Sequence, residues 1–300
     1  MRTFVAAALA GALLVGAGAN PRPARADDKK DKAVEGIEAA AKARDYKKVI
    51  ELASAAIKDD PKNPGFHFAL GTAHLELHHN DEALKALTKV IELEPTFAPA
   101  YDRRGDANLK LGNFEAAVKD FDTYLAKVNE KKRDEAKKHH WRRGIALYYA
   151  GEYQKGADQF KLHHEVNKND VENSVWRYLC VIQAEKQKKS DKPKETAREA
   201  LFKADEDTRV PMKEVLEMFN GKKKPEDVLK AADVGNSKLM GEALKEAQFY
   251  ANLYVALYFE SEGNEAKCKE HLKTAVETYK IGHYMWDVAA AHLKKLEKKP

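Results

Sequence analysis

The sequence predicts an all-α protein assembled from a repeated unit, on three observations. Ala, Lys, Glu and Leu dominate while Val, Ile and Thr are sparse and scattered, which is the composition of a helical chain. Charged residues make up 34% and apolar ones 43%, a soluble balance rich in helix formers. The stretch "LGTAHLELHHNDEALKALTKVIELEP" aligns with "RGDANLKLGNFEAAVKDFDTYLAKVN" at a 34-residue period, placing Gly71 on Gly105, Ala83 on Ala117, Leu87 on Phe121 and Val90 on Tyr124.

The first element is of a different kind. Residues 1–26 open with Arg2, run apolar and small from Phe4 to Val15, and end in Ala24-Arg25-Ala26. This pattern predicts a secretory leader with Asp27 as the mature N-terminus, and Ala17-Gly18-Ala19 is a second cleavage candidate. The apolar run is short for a bilayer span and no later segment approaches it, so the mature chain is expected to be exported, without a transmembrane span. Removing the leader's Arg2, Arg22 and Arg25 lowers the formal charge from +5 to +2, a balance that offers no basis for nucleic-acid binding.

The repeats follow. An N-terminal unit ends at Pro61, 34 residues before Pro95, and a third copy, "RGIALYYAGEYQKGADQF", carries Gly144, Leu147, Gly151, Gly156 and Phe160 at matching offsets. Asp45-Tyr46, Asn113-Phe114 and Glu152-Tyr153 mark one inter-helix turn in three units. Trp176 to Cys180 opens a half-repeat, and "NLYVALYFESEGNEAKCKEHLKTA" returns to register with Ala256, Phe259, Gly263, Cys268, Leu272 and Ala275. An amphipathic segment, Tyr284 to Leu296, is expected to cap the apolar end. Between about Asp191 and Leu239 the pattern degrades into short helices separated by "KQKKSDKPK" and "NGKKKPED", too short to bury a core alone. The expected organisation is a leader at 1–26, an array at 27–190, an insert at 191–240, and a terminal repeat with its cap at 241–300.

These positions resemble the tetratricopeptide repeat, which implies antiparallel helix pairs stacked into a superhelix. Small residues at positions 8 and 20 of the unit let the helices approach, and bulky ones at 4, 7, 11 and 24 fill the space between them. With "RRGIALYYAGEY" and "FYANLYVALYFESEGNEAKC", the order of repeats, half-repeat, insert and closing helix is similar to the NlpI-type periplasmic lipoproteins. That resemblance implies a periplasmic scaffold, a homodimer, and partners among envelope hydrolases and a processing protease. The family's lipid-bearing cysteine is missing here, which puts membrane anchoring in doubt.

The resemblance also implies where a protein or peptide partner would lie. Helix A positions 5, 9 and 12 line the concave face, and here they are Phe68, Thr72 and Leu75, then Asp102, Asp106 and Leu109. The third repeat contributes Trp141, Ile145 and Tyr148, with Tyr149 beside them, and the terminal one Leu253 and Leu257. Aromatic and apolar side chains on that face fit a peptide groove. A cover formed by the C-terminal helices fits them equally well. The Lys and Asn that grip a C-terminal carboxylate in such grooves are absent, so that ligand class is disfavoured.

Histidines raise a metal alternative. His74 and His78 are four residues apart and could share a helix face, with His67 a third nitrogen on the same helix. The repeat register explains them otherwise, as a packing position and a helix end, and no Asp or Glu completes an H-E-x-x-H pattern. His140 and His163 take framework positions, while His139 and His164 are expected to face solvent. Cys180 and Cys268 occupy small-residue sites, where buried unpaired thiols are expected. No nucleophile elbow, phosphate loop or dinucleotide motif is present. A non-enzymatic binding protein without metal or cofactor is therefore expected.

Overall fold

The computed structural model describes residues 24–298, and among them no strand occurs. The expected leader lies outside the described residues except for its last three. The helices are α1 (Ala24–Lys42), α2 (Tyr46–Asp59), α3 (Pro64–Glu76), α4 (Asn80–Leu93), α5 (Ala98–Leu111), α6 (Phe114–Lys127), α7 (Glu130–Lys138) and α8 (Trp141–Tyr149). There follow α9 (Tyr153–His164), α10 (Val171–Gln187), α11 (Pro193–Glu199), α12 (Met212–Phe219), α13 (Pro225–Ala231), α14 (Gly241–Ser261), α15 (Glu265–Lys273) and α16 (Tyr284–Glu297).

Local chemistry sets many of these starts. The side chains of Asp45, Asn63, Asp170 and Asn264 each accept a backbone N–H from the first turn that follows, satisfying donors a helix leaves orphaned. The turn inside a helix pair has one conformation in five places. Arg44, His78, Gly112, Gly151 and Gly263 all take positive φ there, and glycine does so at least cost.

Close approach within a pair depends on one small residue facing one large one. A Cβ on Gly71 would meet Leu87 Cγ at 2.7 Å, one on Gly105 would meet the Phe121 ring at 2.7 Å, and one on Gly144 the Phe160 ring at 2.6 Å. These are the predicted position 8 and position 24 partners, now in contact.

The chain divides into two compact units. The first takes the described residues up to Leu111 together with Lys119–Asn129; the second takes Gly112–Val118 and everything from Glu130 on. In the first, α2 packs on α3 and α4 on α5, around a core that includes Ile37, Val49, Phe66, Leu87 and Val90. Arg104 reaches Asp120 through Nε at 2.9 Å and Nη2 at 2.7 Å, while Asn108 donates to the same carboxylate at 3.0 Å.

In the second unit α9 packs on α10, and α11 and α12 pack on α10 in turn. A Cβ on Gly156 would stand 2.8 Å from Cys180 Sγ, so this contact between pairs again uses small residues. The insert has no core of its own. Phe219 lies edge-on between Tyr178 (5.1 Å) and Tyr258 (5.7 Å), which ties α12 to α10 and α14. The segment "EKKRDEAKK" is the separate helix α7 and buries no side chain. The first helix of the third repeat then begins only at Trp141, with His140 buried just before it.

Candidate functional site

The residues expected to line a groove are mostly inside the protein. In the first unit Phe68 is fully buried and sits edge-on to Phe97 at 5.1 Å. Thr72, about one turn further along α3, is buried too, and Asp106 is buried with Lys110 Nζ at 3.7 Å. Asp102 keeps partial exposure.

In the second unit the expected groove is occupied by the chain itself. Ile145, Tyr148 and Tyr149 on α8 are buried, and only Trp141 is partly exposed. Helix α16 lies against this face: Tyr284 meets Trp141 edge-on at 5.0 Å and His292 meets Tyr149 at 5.1 Å. Lys295 donates from Nζ to the Tyr149 carbonyl at 2.8 Å and stands over the Phe114 ring, which stacks on Tyr149 at 4.7 Å. Leu253 and Leu257 on α14 are buried as well. Of the two readings the sequence left open for this face, the structure shows the covered one.

A polar cluster joins α8, α14 and α16. Tyr148 Oη donates to Glu260 Oε2 at 2.7 Å, and His292 Nε2 lies 3.2 Å from Glu260 Oε1. Burial works to raise the Glu260 carboxyl, but the His292 charge and the hydrogen bonds from His292 and Tyr148 outweigh it and hold the group below its usual range. Burial, then the neighbouring Glu260 charge, pushes both tyrosine hydroxyls well above theirs. The cluster ties three helices together and reads as a fastener.

A second cluster fixes the loop before α12 to the start of α10. Arg209 reaches Asp207 at 2.7 Å, Glu172 at 2.6 Å and Asp170 at 3.3 Å, and Tyr254 Oη donates to Glu172 at 2.7 Å. Burial raises the Glu172 carboxyl against the opposing charge of Arg209. Sequence reasoning missed both clusters, because Glu260, His292, Lys295 and Arg209 carry no signal at local spacing.

The histidines separate. His67 Nε2 bonds to the Pro61 carbonyl at 2.9 Å, so it is not a third nitrogen for His74. Helix α3 ends at Glu76, and His78 sits in the turn at φ 60° rather than on a helix face with His74. The neighbour of His74 is His79, with their Nδ1 atoms 3.4 Å apart. His163 is buried and bonds the Lys138 carbonyl at 2.8 Å, while exposed His139 pairs with Glu135 at 2.9 Å. His164 does not simply face solvent: it stacks on Phe202 at 3.7 Å, and Arg177 covers Phe202 at 4.4 Å. Cys180 and Cys268 are both buried, and neither is in a disulfide. Among the described residues no three or more His, Cys, Asp or Glu side chains are grouped to hold a metal ion.

One open cleft of about 420 Å³ lies in the second unit, between the start of α13 and the α14–α15 turn. Tyr258 and Phe259 are its half-exposed aromatic lining, with Lys224, Lys267, Glu226 and Glu262 around them. Lys267 Nζ stands 4.8 Å from the Phe259 ring centre, and Lys194 pairs with Glu262. No described helix is long and apolar enough to cross a membrane.

Comparison with known proteins agrees with this architecture. Two tetratricopeptide repeat models match, at residues 40–103 and 103–164. Serine/threonine-protein phosphatase 5 of Rattus norvegicus is 35% identical over 91 residues, 30% of this chain and 18% of the phosphatase. The Homo sapiens protein is 31% identical over 132 residues, 44% of this chain and 26% of that one. The match thus spans about a quarter or less of the phosphatases' length. The crystal structure of a tetratricopeptide repeat protein from Parabacteroides merdae superposes with a TM-score of 0.53 at 16% identity, covering 89% of this chain and 98% of that one.

Proposed function

We propose that this chain, a tetratricopeptide repeat protein, serves as an exported, non-enzymatic adaptor that binds a partner protein or peptide. The observation that carries this reading is the series of helix pairs closed by small-against-large contacts at Gly71, Gly105 and Gly144. Such a fold spends its conserved geometry on stacking and leaves its remaining surface to recognition. It is typically an interaction module, and no catalytic family is indicated. The leader-like start supports export to a periplasm, and the order of repeats, insert and closing helix, read from the sequence as resembling NlpI-type scaffolds, is the basis for proposing envelope hydrolases or a protease as partners of a homodimeric chain.

The burial of Ile145, Tyr148 and Tyr149 moves the docking surface away from the third repeat's concave face. The cleft at Tyr258 and Phe259 is the better place, since it combines half-exposed aromatics with flanking lysines. Affinity capture from an envelope extract tests the reading, with wild type, Tyr258→Ala/Phe259→Ala and Trp141→Ala as baits. Loss of one defined partner by the double variant alone supports the cleft. Loss with Trp141→Ala instead returns the site to the repeat face. No partner enriched by wild type overturns the adaptor reading, and fractionation of cells checks the address.

A further inference from the structure

We propose that His74 and His79 form a two-imidazole site for a divalent transition-metal ion at the turn between α3 and α4. Their Nδ1 atoms are 3.4 Å apart. Two imidazole nitrogens about 2.0–2.1 Å from one tetrahedral zinc ion stand about 3.3–3.4 Å from each other. As a hydrogen bond the same distance is slack, since N–H donors prefer about 2.9–3.0 Å. It also requires one of two identical nitrogens to carry a proton. A metal ion replaces that proton and satisfies both lone pairs.

The backbone holds the pair in place. His79 N–H donates to the His74 carbonyl at 2.9 Å, and His78 takes positive φ to turn the chain between them. His74 is half-buried on the last turn of α3, while His79 is exposed and leaves coordination positions to water. The Glu82 carboxylate, on the first turn of α4, acts on His74 with a charge that favours a bound cation. Imidazole nitrogen suits zinc, nickel or copper rather than calcium, which needs six or more oxygens; among the described residues no third such side chain joins the pair, so water fills the remaining positions.

Calorimetric titration of the untagged full chain with zinc chloride or nickel chloride tests this. The wild type is expected to bind one equivalent at pH 7.5, with a dissociation constant below the millimolar range. Exposed His79 can be changed without touching the core, and His79→Gln should weaken binding about a hundredfold through loss of the chelate. His67→Ala and His139→Ala should bind as wild type does. Equal binding by wild type and His79→Gln, or no heat from wild type at sub-millimolar metal, overturns the proposal.

Discussion

Tyr148 on α8 donates to Glu260 on α14 at 2.7 Å, and the same carboxylate faces His292 on α16 at 3.2 Å. One side chain thus fastens three helices that are far apart in sequence. Glu260→Gln keeps the shape and removes the charge, and should cost about 1–3 kcal/mol near neutral pH. The Glu260 carboxyl is held below its usual range in the folded protein. Its contribution is therefore present above the unfolded carboxylate value and is lost as pH falls through the folded one. Melting temperatures across a pH series should show a wild-type advantage that shrinks in acid. A constant difference at every pH would mean that the charge is not what matters.

The small-against-large contacts give a sharper test. Gly144→Ala places a methyl 2.6 Å from the Phe160 ring and should destabilise by about 1–3 kcal/mol. Trimming the partner, as in Gly144→Ala/Phe160→Leu, should cost less than the two changes added together, because they share one space. Gly235, with nothing within 4 Å of its would-be Cβ, should accept alanine with little effect. Chemical denaturation of Gly144→Ala, Phe160→Leu, the double variant and Gly235→Ala measures this.

Those glycine contacts were legible in the sequence because both partners of each lie within one helix pair, sixteen residues apart, where periodicity fixes the register. The burial of both thiols outside any disulfide and the short helices of the insert were legible for similar local reasons. The cover on α8 was not, because it rests on Tyr148 meeting Glu260 and Tyr149 meeting His292, more than a hundred residues away. His164 stacking on Phe202 failed the same way, since no local pattern brings the insert back over α9. The helix α7 was hidden for another reason: with no buried side chain it leaves no hydrophobic period to read.

Arg209 is bonded to Asp207, Glu172 and Asp170 while about half of its side chain remains exposed. Arg209→Ala leaves the Glu172 carboxyl, already raised by burial, without its main opposing charge. Removing one partner of a fully buried pair costs about 3–5 kcal/mol. Solvent screening at this half-exposed site should reduce that to about 1–3 kcal/mol. The loop before α12 should also become open to protease first, so limited proteolysis with mapping of the cut separates local release from global unfolding. An unchanged rate of cleavage within this loop would show that Arg209 does not hold it.

Helix α16 is the strongest test of how the third repeat is completed. It buries Met285, Val288, Ala289, Leu293 and Leu296. Each fully buried side chain of the larger type contributes about 1.5–3 kcal/mol, so their joint loss rivals a whole domain's stability of about 5–15 kcal/mol. A chain ending at Gly282 should therefore expose the aromatic face of α8, bind a hydrophobic dye and melt at a lower temperature. A synthetic peptide of residues 283–298 added in trans should bind that chain and reverse both changes, since Lys295 can again meet the Tyr149 carbonyl and His292 can again meet Glu260. Lys295→Ala in the peptide should weaken the rescue. Dye binding unchanged by the truncation would mean that the face is closed without α16. A rescue by a scrambled peptide would mean that the face accepts any amphipathic helix, and the specific contacts would then be dispensable.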